Sequence, residues 1–179
     1  MKESITEKLA SKSTTMQALS NKISNDIRVS IPGIIQSFDP IEQTVSVKIA
    51  IRERYIDEDL VITNIEMPML EDVPIVIPRA GGYAITLPVQ KGDECLLVFS
   101  DMCIDAWFSN SGVQNQIESR RHDLSDAYAI IGAYSQPRRL SNYSTDSLEI
   151  RNETGSAKIK LKDNEINLVG TVKINGVIV

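Results

Sequence analysis

Little in this sequence can do acid–base, metal or redox chemistry. The 179 residues include one histidine, His122, and two cysteines, Cys95 and Cys103. Two cysteines cannot build a disulfide framework in a chain of this size. With a single histidine to join them they do not make a zinc site, so both are expected to be reduced and partly buried. No G-x-S-x-G elbow, no Walker or dinucleotide glycine spacing and no EF-hand spacing occurs. No cofactor and no resident metal are implied. No apolar run approaches the ~18 residues of a membrane-spanning helix. The first residues, MKESITEKLASKSTTMQALSNKI, are charged and lack an apolar segment. A Sec signal peptide is therefore not expected, and departure from a cell would use another route, such as lysis.

Aromatics are also scarce, at 5%, and the net charge is −5. Residues 1–27 carry four lysines against three acids, and residues 146–179 carry five basic and five acidic side chains. The deficit lies between them, densest at Asp57, Glu58 and Asp59. Arg120–Arg121 and Arg138–Arg139 are isolated pairs, too few to neutralise the phosphates along a nucleic-acid groove. No nucleic-acid partner is expected. What is present is a hydrophobic fraction of 42%, too high for a disordered chain, and enough length for one domain plus an appendage.

Three textures follow one another. Over residues 3–27, Ile5, Leu9, Met16, Leu19, Ile23 and Ile27 form one narrow apolar stripe at helical spacing. So thin a stripe suits packing onto another subunit or back onto the chain's own body. From Arg28 to Ser100 the pattern becomes strand-like. RVSIPGIIQSFD carries Pro32–Gly33, a candidate bulge or kink. TVSVKIAIRER alternates, with Val45, Val47, Ile49 and Ile51 on one face. A polar excursion follows, then PIVIPR, YAITLPV and CLLVFS. About five strands with a long loop between the second and third fit a closed OB-type barrel. Residues 101–140 read as irregular, with Trp107 and Phe108 on a short helical stretch and Pro137 in a connector.

The tail differs again. Apolar residues come as i, i+2 pairs: Leu148/Ile150, Ile159/Leu161, Ile166/Leu168, Val172/Ile174 and Val177/Val179. NETGSA, KDN and NG separate them as turns. Strands of ~3–5 residues cannot hold a core of their own. Intertwined copies would bury the pairs along an axis, whereas an edge hairpin would bury them on the barrel.

The segment HDLSD, residues 122–126, places histidine, aspartates and Ser125 together. Catalysis needs these groups to meet in space with an oxyanion hole, which adjacency in sequence does not supply. Asp123 or Ser125 instead suits capping of a turn before AYAIIG, by accepting from backbone N–H groups. The Asp57–Asp59 cluster reads as a solvated loop, and Gly81–Gly82 as a turn.

Four blocks carry a resemblance: PGI-x-QSFDP, VPI-x-x-PR-x-GG-x-x-x-T-x-PV-x-KGDE-x-L, D-x-CIDAW and HDLSDA-x-AI-x-G. Through them residues 27–139 resemble the N-terminal region of the phage baseplate central-spike family, cell-puncturing proteins of contractile-tailed phages and phage-tail-like bacteriocins. The resemblance implies a homotrimer and a virion or tail-like particle location. It implies an OB domain docked to a baseplate hub protein, and a trimeric β-helix that transiently meets the host cell envelope. It gives HDLSD no catalytic role. Spikes of this kind often end in an iron-binding His-x-His tip, which INGVIV lacks. The spike is then blunt, or a separate tip protein caps it, or its target needs less penetration.

The expected architecture is mainly β. It has an N-terminal helix (1–27), an OB-fold five-stranded barrel with an irregular extension (28–140), and a short intertwined trimeric β-helix or β-prism (141–179). The expected trimer core is Leu148, Ile150, Ile159, Leu161, Ile166, Leu168, Val172 and Ile174, with Val177, Ile178 and Val179 at the tip. The chain is expected not to be an enzyme. The alternatives are an OB-fold module that binds oligosaccharide or nucleic acid, and a cell-wall hydrolase that uses His122.

Overall fold

The computed structural model describes residues 13–20, 22–23, 27–56 and 59–178. It divides into two compact units, Met1–Ala133 and Tyr134–Val179. In the first, a helical stretch α1 (13–20, with 22–23 also helical) precedes the strands. Met16, Leu19 and Ile23 of the apolar stripe lie in it, while Ile5 and Leu9 fall outside the described residues. Five strands then close a barrel: β1 (Ser30–Asp39), β2 (Thr44–Ile49), β5 (Leu70–Val76), β9 (Ala127–Ile131) and β8 (Glu94–Phe99), in that order around the wall. β5 and β9 pair in parallel, and every other neighbouring pair is antiparallel. This is the closed five-stranded barrel that the strand patterning predicted, with one parallel pairing in it and with one wall strand from beyond residue 100.

Alternation explains the wall. Val45, Val47 and Ile49 of β2 point inward and are buried, as are Cys95, Leu97 and Phe99 of β8. Side chains two apart share a face of a strand, so each strand gives every second residue to one core. Ile51 falls beyond the end of β2 and is half-exposed. Burial pushes the Cys95 thiol up to about 11, so it stays protonated and unreactive at neutral pH. Cys95 and Cys103 are both free thiols.

The bulge in β1 lies between Ile35 and Ser37, not at Pro32–Gly33. Gly33 has a different reason to be glycine. It is buried where β1 crosses the core, and a Cβ there would collide with Val47 Cγ1, with Leu97 Cδ1 at 3.1 Å and Cys95 Sγ at 3.2 Å.

Two sequence expectations change. The polar excursion after β2 folds as a hairpin, β3 (Glu53–Ile56) against β4 (Ile62–Ile65), with Tyr55 opposite Thr63 and Ile56 opposite Ile62. YAITLPV is not a wall strand. Only Tyr83–Ala84 of it is strand, β7, and it pairs with β6 (Arg79–Ala80); Ile85 and Leu87 are exposed. The fifth wall strand is β9, from the region read as irregular. Its buried residues are Ala127 and Ala129, small side chains that give little apolar signal.

The second unit is a three-stranded antiparallel meander, β10 (Leu148–Arg151), β11 (Lys158–Lys162) and β12 (Glu165–Val169), followed by the hairpin β13 (Lys173–Ile174) and β14 (Val177–Ile178). Both tight turns match their sequences. Asp163 (φ 46°) precedes Asn164, and Asn175 (φ 50°) precedes Gly176 (φ 83°). Two-residue hairpins favour such residues because positive φ matches the twist of the flanking strands.

Gly33→Ala should destabilise the protein by about 1–3 kcal/mol through overpacking. Gly81→Ala, where a Cβ meets no atom within 4 Å but φ is positive, should cost about 1 kcal/mol. Urea unfolding midpoints compare the two.

Candidate functional site

HDLSD folds as a junction rather than a relay. Asp123 Oδ1 accepts from Ser125 N at 2.9 Å and caps a single 3-10 turn over Leu124–Asp126. This is the capping role expected from the sequence, and the Ser125 bond holds the Asp123 carboxyl below its ordinary value. His122 adopts φ 48°. Its ring Nδ1 donates to the Arg28 carbonyl at 3.0 Å, and its Nε2 lies 3.4 Å from Asp101 Oδ1. His122 therefore serves the chain's own backbone, while Ser125 pairs with Asp123.

The group that sequence reading missed is Asp126. Its side chain has no solvent exposure, and it is bonded on every side. Oδ1 accepts from Ile104 N at 2.9 Å and from Arg120 at 3.1 Å; Oδ2 accepts from Arg120 Nε at 2.7 Å. Its carbonyl accepts from Ser100 N at 2.8 Å. Arg120 also bonds Asp105 and Glu118, each at 2.7 Å. Asp126 raises the already high Arg120 pKa further, so the guanidinium keeps its charge. Arg120 read as half of an isolated basic pair; the sequence carries no mark that Asp126 is buried, and burial is what makes a charged partner necessary.

Cys103, Asp105 and Asp126 bring one ligand atom each within 4.8 Å of one another, the spacing a divalent ion would use. Arg120 already bonds both carboxylates in bidentate or charge-assisted fashion, so an ion would have to displace a guanidinium. The donor set fits a salt bridge, not a metal. Of the acidic loop, Asp57 and Glu58 lie outside the described residues.

The second unit holds the residues expected in a shared core. Register pairs Leu148 with Leu161 and Leu161 with Ile166; it pairs Ile150 with Ile159 and Ile159 with Leu168. Directly opposed residues share a face. Six of the eight expected residues therefore form two parallel apolar rows across one face of the sheet. That face is bare: exposure runs from 38% at Leu161 to 70% at Ile166. Ile174 opposes Val177 in the hairpin, both exposed. Val172 lies outside the strands and is half-buried, Ile178 opposes Lys173, and Val179 is outside the described residues.

The opposite face is charged and internally satisfied. Glu149 and Arg151 side chains are 7% and 6% exposed. Arg151 donates to the carbonyls of Asn142, Ser141 and Glu153, and Lys158 Nζ bonds Glu149 at 2.9 Å. Lys162 donates to Asp146 at 2.6 Å. The Lys162 bond holds Asp146 well below its ordinary 3.8, and the Lys158 bond holds Glu149 below 4.5.

Asp126→Asn should cost roughly 3–5 kcal/mol, because it leaves Arg120 without its buried counter-charge; His122→Ala should cost far less, and thermal unfolding separates them. The depressed folded values of Asp146 and Glu149 mean that their stabilisation is present above their unfolded values. It is lost as pH falls through the lower, folded ones. Thermal midpoints should hold steady down to about pH 5 and fall below about pH 4, and Asp146→Asn should blunt that fall.

No curated protein matches the chain. The family described as Phage protein Gp138 N-terminal domain matches residues 31–132, more than half of the sequence and the whole of the barrel from Ile31 onward. That membership suggests a component of the phage tail or baseplate. With its closed barrel and its Asp126 junction both inside the matched region, the chain belongs to the Phage protein Gp138 N-terminal domain family.

Proposed function

We propose that this protein is the central spike of a contractile-tail baseplate: a non-enzymatic homotrimer whose barrel docks on a hub protein and whose C-terminal unit pierces the host envelope. The observation that carries the reading is the pair of aligned apolar rows, Leu148–Leu161–Ile166 and Ile150–Ile159–Leu168, left open to solvent in one chain. A meander of strands this short buries too little to stand alone. Three copies wound together would turn each row into a layer across a common axis, with Val172 and Ile174 continuing it and Val177, Ile178 and Val179 closing the end. The charged face, already satisfied by Arg151, Lys158 and Lys162 within each chain, would face outward.

Such a spike transmits the force of sheath contraction. It needs no active site, only resistance to unfolding. Strands shared among copies cannot leave one at a time, which gives kinetic rather than merely thermodynamic stability. Family membership supports a tail component, and the resemblance of the four motif blocks supports the spike role among such components.

Light scattering on the full-length chain should return about three times 19.9 kDa, persisting in mild denaturant. Ile166→Asp should weaken the trimer by tenfold or more, from the ~1.5–3 kcal/mol of an uncovered isoleucine. Lys162→Ser should have little effect. A monomeric mass, or equal effects at the two positions, would count against the shared core.

A further inference from the structure

A second apolar surface is left open, in the first unit. Between the β1–β2 turn and helix α2 (Asp105–Asn110) runs a groove of about 320 Å³. Its floor is the parallel junction of β5 with β9, which holds by only two register pairs, Ile75 with Ala129 and Val76 with Ile130. Trp107 and Phe108 of α2 form one wall, with Tyr128 edge-on to Trp107 at 6.1 Å. Trp107, Phe108 and Val76 are 48%, 44% and 43% exposed. Barrels of this type take ligands on this side, between the loop joining their first two strands and the loop joining their last two.

The same chain carries an apolar stripe with no cover. Met16, Leu19 and Ile23 are at i, i+3 and i+7, the spacing by which an amphipathic helix anchors in a groove. They are 71%, 54% and 54% exposed. A short helix draws most of its stability from packing such a face. Residues 13–21 contain no charged side chain, so laying this helix on aromatic and aliphatic walls would desolvate no ion. The one charge between 13 and 23 is Lys22. The groove's lining carries one charge of each sign, Glu42 and Arg79, so a helix with a single lysine meets no field of one sign there. Among the described residues, both surfaces stay open within one chain.

We propose that the groove between the β1–β2 turn and α2 receives α1 from a neighbouring copy of the chain, with Met16, Leu19 and Ile23 against Val76, Trp107 and Phe108. This rests on the homo-oligomeric reading above and adds a second, independent clasp to it. The α1 helix becomes a strap that joins barrel to barrel, apart from the core of the second unit.

The test uses full-length chains carrying Cys103→Ser. Leu19→Cys chains and Val76→Cys chains, with tags of different size, are co-expressed and mildly oxidised. The expected product is a mixed disulfide between the two chains, with Gln17→Cys in place of Leu19→Cys giving much less. In parallel, Leu19→Asp in the otherwise native chain should shift the emission of Trp107, the only tryptophan, to the red and increase its quenching by acrylamide. The solution mass should stay threefold. No mixed disulfide and no spectral shift in a protein of threefold mass would overturn the strap and leave the spike reading standing. A disulfide formed only within one doubly substituted chain would also overturn it. So would Trp107 emission insensitive to Leu19→Asp but moved by envelope oligosaccharide, in favour of a glycan site. A monomeric native mass would overturn both readings together.

Discussion

The carboxylate of Asp126 has no water to solvate it, and the structure around it is arranged to supply what water would. Arg120 provides the counter-charge and Ile104 an N–H, while the Asp126 carbonyl receives Ser100. These bonds fix three places on the chain at once: the end of β8, the start of α2 and the start of β9. An ionised group inside a protein is tolerated only when it is paired and hydrogen-bonded. The junction therefore cannot be loosened by halves. It sets where β9 begins, and β9 is the strand whose parallel pairing with β5 closes the barrel. A strand that follows a connection of more than twenty residues is thereby made part of the wall.

The same accounting explains the second unit, with the opposite outcome. Its charged face is closed by its own side chains, above all by Arg151, which gathers loop carbonyls around one guanidinium. Its apolar face has no such closure. Polar groups can be satisfied locally, because one arginine reaches several acceptors. Apolar rows can be satisfied only by area, and five short strands do not have enough of it. One sheet thus presents one finished face and one unfinished face, and the unfinished one carries the functional argument.

In both units the described residues leave apolar surfaces open. Among the described residues, His122, Cys95, Asp105 and Asp126 all serve the fold. His122 holds the Arg28 carbonyl, Cys95 fills the core, and Asp105 and Asp126 share one arginine. Three apolar surfaces stay open among the described residues: the two rows of the meander, the stripe of α1 and the groove lined by Trp107 and Phe108. That distribution is what the spike proposed above would need.

Local pattern was enough to read much of this. Apolar patterning placed β1, β2, β8 and the second half of β5, and the class of barrel they build. The i, i+2 pairs picked out Leu148, Ile150, Ile159, Leu161, Ile166 and Leu168 as the apolar residues of short strands; the register of β10, β11 and β12 then puts them on one face. Periodicity reports which side of an element is apolar, and that is a property of the sequence alone. It could not report that Ala127 and Ala129 are core, since alanine signals burial only when larger neighbours crowd it. Nor could it show that Ile85 and Leu87, which alternate as well as any strand, find no place in the wall. The partnership of Arg120 with Asp126, the glycine needed at Gly33 by the approach of Val47, and the meeting of α2 with the β5–β9 junction are contacts between distant segments. Only the tertiary structure decided them, because burial and pairing belong to the space between elements and not to any one of them.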